Sequence, residues 1–197
     1  MERTKPAAPS SLPERYLVRP GDNLFRIALE HGLDYRQLAR WNGIAHPDRI
    51  VAGTSLRLRP PAGSAAEEDP LEYGETPVRW VWPVQGKVIA GYDEPAGRKG
   101  IQIAAPYGAP VLAAASGRVV YTGHGLRGYG RLTIIRHGKI MLSVYAHQSK
   151  ILVKEGDWVT QGQQIGEVGD TDAERAKLHF EIRAYGRPVN PADYLPG

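Results

Sequence analysis

Histidine is the side chain best suited to hold a catalytic metal or to move protons near neutral pH. This chain has six, at positions 31, 46, 124, 137, 147 and 179. Their spacing builds no metal centre. None is followed by Asp four residues later, none is paired as His-x-His, and no His-Glu-x-x-His helix motif occurs. There is no cysteine, which excludes disulfides, thiol catalysis and cysteine-based zinc sites. The stretch with the most chemical content is Lys177-Leu178-His179-Phe180-Glu181-Ile182. In a strand, alternation of period two puts residues 177, 179 and 181 on one face and 178, 180 and 182 on the other. A histidine at 177 would aim two imidazoles into one groove, but a lysine stands there. Catalytic zinc wants three protein ligands and an open water position. One histidine cannot supply them.

The elements that must carry these residues are mostly strands. From Trp80 onward, short apolar segments broken by Gly and Pro fall at 81–84, 86–90, 100–103, 111–114, 117–121, 132–137 and 141–147. A Gly-rich hairpin spans 156–166, and 177–183 is the last main strand. This pattern predicts an antiparallel β domain over 80–197. The N-terminal part reads differently. Tyr16-Leu17-Val18-Arg19 is a short strand and Pro20-Gly21 a turn. Asp22 or Asn23 can cap a helix carrying Leu24, Ile27 and Ala28 on one face. Gly32 stops that helix. Asp34 caps a second one, with Leu38 and Trp41 inward and Asn42-Gly43 at its end. Residues 50–58 return as a turn and a strand. The expected fold class is an α+β module of order β-α-α-β over 16–60, followed by a mostly antiparallel all-β domain.

Composition fits this layout. The net charge is +4 over 197 residues, with 42% hydrophobic and 23% charged residues. Residues 16–60 carry seven Arg against four acids, 61–79 one basic residue against five acids, and 80–197 fourteen against ten. Two mildly basic modules therefore flank an acidic, Pro-containing linker at 61–79, whose ends as a flexible coil would sit on the order of 25 Å apart. Residues 1–15 are Pro/Ala/Ser-rich and expected to be disordered. Mild basicity suits an anionic polymer, though it is equally simple solvated surface. No basic run with interleaved aromatics points to nucleic acid. No apolar run is long enough to span a bilayer, and Met1-Glu2-Arg3-Thr4-Lys5 does not open a signal peptide.

Two resemblances add to this reading. The segment 16–60, with Tyr16-x-Val18, Pro20-Gly21-Asp22-x-Leu24, Ile27-Ala28, Leu38, Asn42, Ile50 and Gly53-x-x-Leu56, resembles a LysM domain. That resemblance implies binding of N-acetylglucosamine-containing glycans in a shallow groove. Gly21, Asp22, Asn23, Leu24, Arg49, Ile50 and Val51 map to it. Leu24 and Ile50 could instead be core, and Asp22 could serve only as a cap. Residues 80–197 resemble the lysostaphin-type (LytM) zinc peptidase domain. The landmarks are Gly100-Ile101-x-Ile103-Ala104, Gly108-x-Pro110-Val111, Tyr129-Gly130, Tyr145-x-His147, Glu155-Gly156-Asp157-x-Val159 and Leu178-His179-Phe180-Glu181.

On this register the ligand histidine of active members falls on Arg98, the ligand Asp on Gln102 and the first His of His-x-His on Lys177. Among the three ligands only His179 remains; His147, at a catalytic position, also remains. The resemblance therefore implies a degenerate peptidase that uses no metal or other cofactor. Arg98 and Lys177 either replace the metal's charge and favour an acidic partner, or pair with acids of the domain or with solvent.

The order LysM, linker, metal-less LytM domain resembles division lipoproteins of the NlpD type. What this implies is a periplasmic protein held to the outer membrane by a lipid on a cysteine that this sequence lacks. Such a protein binds peptidoglycan and activates N-acetylmuramoyl-L-alanine amidases without cutting the wall itself. Arg98, Lys99, Gln102, Arg127, Tyr129, Tyr145, His147, Lys177 and His179 are the expected groove residues that dock the amidase. The alternatives are a zinc endopeptidase with unusual ligands and a simple wall-binding tether.

Overall fold

The computed structural model describes residues 13–47, 49–61 and 78–197. Residues 1–12 of the expected disordered start and most of the expected linker lie outside them; Arg15, at the end of that start, is ordered in a strand, where it pairs with Arg57. The chain divides into two compact units, taken separately below.

The N-terminal unit pairs β1 (Arg15–Leu17) antiparallel with β2 (Ser55–Arg57), and helices α1 (Leu24–His31) and α2 (Tyr35–Trp41) lie between them in sequence. Each helix starts where a side chain can accept its orphan amides. Asn23 accepts from the Arg26 N–H, and Asp34 from those of Arg36 and Gln37. Of the two cap candidates for α1, Asn23 is the one used. Gly32 ends α1 in the left-handed conformation. Val18, Leu24, Ile27, Ala28, Leu38, Ala39, Leu56 and Leu58 form the core.

The C-terminal unit contains β3 (Lys87–Ala90), β4 (Ile101–Ala104), β5 (Pro110–Leu112), β6 (Gly117–Gly123), β7 (Leu132–His137), β8 (Met141–Ala146), β9 (Gln148–Ile151), β10 (Trp158–Val159), β11 (Gln164–Val168), β12 (Leu178–Ala184) and β13 (Arg187–Val189). The larger sheet runs β10-β6-β7-β8-β12-β4-β3, with β13 also paired to β12. A three-stranded sheet runs β5-β11-β9. The expected antiparallel architecture is present, with three differences. Residues 156–166 form no hairpin, since β10 pairs with β6 in the larger sheet and β11 with β5 and β9 in the smaller one. Residues 81–84 form no strand, because Pro83 has no N–H to give; the backbone donates from Val81 to the Ala114 carbonyl and accepts from Leu112 at Pro83, and the Trp82 indole donates to the Pro196 carbonyl. β9 and β13 are additional.

β12 lies inside the sheet between β8 and β4. Its Leu178, Phe180 and Ile182 are fully buried and pack the apolar core with Ile101, Ile103, Val144 and Tyr145. The other face carries Lys177, His179, Glu181 and Arg183. Backbones approach closely here: a Cβ on Gly100 would stand 2.2 Å from the Phe180 carbonyl oxygen. Glycine at 100 lets β4 lie against β12, with Gln102 directly opposite His179.

Candidate functional site

Three elements meet over the polar face of β12. They are the β6–β7 loop with Arg127 and Tyr129, the bend at His147 between β8 and β9, and the loop 169–177 between β11 and β12. His147 has φ 62°, in the left-handed region that few residues other than glycine enter. Its backbone N–H donates to the Tyr129 carbonyl at 2.8 Å, and its ring Nδ1 donates to the Thr171 carbonyl at 2.8 Å. A carbonyl only accepts, so the proton sits on Nδ1 and Nε2 keeps the lone pair. Burial, reinforced by nearby His179 and Lys177, holds the His147 pKa below the usual imidazole range.

His179 lies 6.0 Å from His147 between ring centroids and 5.8 Å from Tyr129. Its Nε2 is 2.9 Å from Glu181 Oε1, which also accepts from the Tyr129 hydroxyl at 2.8 Å. Arg183 Nε donates to Glu181 Oε2 at 2.6 Å. Glu181 and Arg183 are both buried. Burial alone would raise the Glu181 pKa, but the Arg183 charge and the His179 hydrogen bond outweigh it and hold it at about 2. Burial, with the adjacent Glu181 charge, pushes the Tyr129 phenol well above its ordinary value. The floor beneath His179 is therefore a closed carboxylate–guanidinium pair with a fixed tyrosine hydroxyl.

Lys177 is the neighbouring cation and is 4% exposed. Its Nζ donates to Gln102 Oε1 at 3.2 Å and to both Glu174 oxygens at 2.8 Å. Arg98 is engaged with Asp93 at 2.6 Å and with the Gly91 carbonyl at 3.2 Å, on the exposed hairpin whose backbones pair at 93 and 98. Of the two readings open for these cations, pairing within the domain is the one found. Among the described residues, no three His, Cys, Asp or Glu side chains come together as a metal-holding group.

The groove thus brings together Gln102, Tyr129, His147, Lys177 and His179. Arg127, Lys99 and Arg98 are exposed. Tyr145 is not brought to the groove. It is wholly buried against Phe180, with its hydroxyl accepting from the Ala114 N–H. Period two fails to reveal this because β8 is buried on both faces. Glu174, Thr171 and Asp172, which accepts from the Gly128 N–H at 3.2 Å, are the organising residues that spacing alone did not single out. They sit in a loop, where no periodicity points anywhere.

In the N-terminal unit, the loops after β1 and before β2 are laced together by hydrogen bonds from Gly53 to Val18 and from Val18 to Thr54. Gly21, Arg49 and Val51 are exposed there, Val51 by 70%. Asp22 folds its own loop, accepting from the Tyr16 hydroxyl at 2.7 Å and the Arg19 N–H at 2.8 Å. Leu24 is fully buried and Ile50 packs against the core, so Leu24 offers no surface to a glycan.

Residues 16–59 match the LysM domain and residues 96–191 match Peptidase family M23. The lipoprotein NlpD/LppB homolog of Pseudomonas aeruginosa is 38% identical, over 92% of this chain and 77% of that protein. The murein hydrolase activator NlpD of Escherichia coli is 32% identical, over 92% of this chain and 67% of that protein. The catalytic domain of the antimicrobial peptidase lysostaphin from Staphylococcus simulans shares the C-terminal fold, with TM-score 0.51 and 28% identity over 54% of this chain and 90% of that one. Similarity over nearly the full chain, with both modules in the same order, places this protein in the NlpD/LppB family.

Proposed function

We propose that this protein is a non-catalytic activator of N-acetylmuramoyl-L-alanine amidases, held on peptidoglycan by its LysM module and docking the amidase in the groove over β12. The observation that carries the reading is the Lys177 ammonium. On the M23 register, Arg98, Gln102 and Lys177 stand at two ligand positions and one catalytic position. A zinc ion does not fit these residues: the Gln102 amide oxygen is engaged by a fixed cation, Arg98 has no lone pair and is held by Asp93, and His179 alone remains. A groove without a metal, yet with a fixed floor and several polar side chains at its surface, is suited to recognition.

The kinship with proteins named as murein hydrolase activators supports a hydrolase as the partner. The LysM match over 16–59 supports wall binding, with Gly21, Arg49 and Val51 exposed on the loops where the family's sugar groove falls. Relatives described as lipoproteins support a site of action in the cell envelope.

The test is dye release from labelled sacculi, with each of the organism's amidases in turn, with and without this protein. Stimulation of at least one amidase, with no release by the protein alone and no zinc retained on elemental analysis, is the expected outcome. No change across the whole panel rejects the activator reading. Release by the protein alone, with stoichiometric zinc, would restore the peptidase.

A further inference from the structure

We infer that Glu174 is an internal stand-in for a partner's carboxylate, and that an acidic side chain of the amidase docks on Lys177 by displacing it. The inference rests on the amidase-docking reading above and names the contact chemistry of that groove. A buried ammonium is costly unless it keeps a counter-charge. Lys177 is buried, yet the carboxylate that satisfies it belongs to a side chain that is 66% exposed and lies on a loop. That pairing is asymmetric. The cation cannot leave, since its stem is enclosed and its second partner is the strand residue Gln102. The anion can leave, because water solvates a released Glu174 fully.

An incoming carboxylate therefore replaces one ion pair by another, and at no stage is the buried charge required to stand alone. A neutral or basic group gains nothing there, since it would strand the ammonium. The same exchange ties docking to the loop. Thr171 in that loop holds the His147 ring and Asp172 holds the Gly128 amide, so the partner's acid meets a surface whose other contacts stay in place when Glu174 swings out. Arg175, whose Nε already lies 3.9 Å from Glu174 Oε1, keeps a cation beside the released carboxylate.

The test is a binding cycle with the full chain and the amidase that it stimulates, using wild type, Glu174→Ala, Lys177→Met and the double variant, each checked for folding by thermal melting. Glu174→Ala removes the competitor and is expected to tighten the dissociation constant about fivefold or more. Lys177→Met is expected to weaken it more than about tenfold. In the Lys177→Met background, Glu174→Ala should have no effect. Because Glu174→Ala strands the Lys177 ammonium, Glu174→Gln, whose amide oxygen can still accept from Nζ, is measured beside it; unchanged or weaker binding by a folded variant of either kind overturns the exchange. Should Glu174→Ala tighten binding of soluble muropeptides but not of the amidase, the assignment to a protein partner is overturned. A wild-type chain that binds no amidase rejects the docking reading itself; wild-type binding with an unaffected Glu174→Ala variant rejects only the exchange.

Discussion

Glu181 accepts hydrogen bonds from His179, Tyr129 and Arg183 while exposing no surface. Its charge is what makes a buried Arg183 tolerable. Changing Glu181 to Gln keeps the shape and removes the charge, leaving a guanidinium enclosed without its counter-ion. The expected loss is roughly 3–5 kcal/mol, read as a lowered denaturant midpoint. A loss below about 1 kcal/mol would mean that the pair is hydrated and does not support the floor. The sequence already placed residues 179 and 181 on one face, because alternation in a strand requires it. It could not say that Lys177 is answered by Glu174, since that contact depends on how a loop folds back.

At the level of elements, β4 and β12 are held close enough that residue 100 has no room for a side chain. Gly100→Ala would drive a methyl into the Phe180 carbonyl and the Glu181 side chain. The strands must part, at a cost of about 1–3 kcal/mol. The expected readout is a drop of several degrees in the melting temperature, together with exchange broadening of the His179 ring signals. A melting curve equal to wild type would show that β4 can shift freely. The β-rich class, the two helix caps and the apolar face of β12 were legible because propensity, caps and period all agree there. β9 was not. It begins at Gln148, one residue beyond the end of β8, and a bend at a left-handed histidine, His147, carries no Gly or Pro signal. Tyr145 was misplaced for a related reason: a strand covered on both faces has no polar alternation to read.

For the molecule as a whole, buried histidines set the acid limit of stability. His137 is 2% exposed, with Nδ1 donating to the Ser116 carbonyl and Nε2 within 2.7 Å of the Ser143 hydroxyl. Burial holds its pKa at about 4. Folded chains thus resist a proton that unfolded chains accept below their ordinary value near 6.5. Stability from this group is complete above the unfolded value and is lost as pH falls toward 4, by roughly 3 kcal/mol in all. His147, also lowered by burial, acts in the same direction. Glu181 follows at lower pH, with its contribution present above the ordinary carboxylate range and lost as pH falls toward 2. Denaturant midpoints between pH 7 and pH 4.5 should fall steadily, and His137→Gln should flatten the slope. A midpoint independent of pH over that range would contradict the burial of the imidazole.

The two charge groups on the polar face of β12 each close on themselves. Glu181 answers Arg183, and Glu174 answers Lys177. Arg98, held by Asp93 on the exposed hairpin, takes no part in either group, so position 98 can be rewritten while the scaffold stays intact, whereas Gln102 shares in holding Lys177. A scaffold whose buried charges answer one another can carry different side chains at its exposed rim, and so a different task, on the same strands.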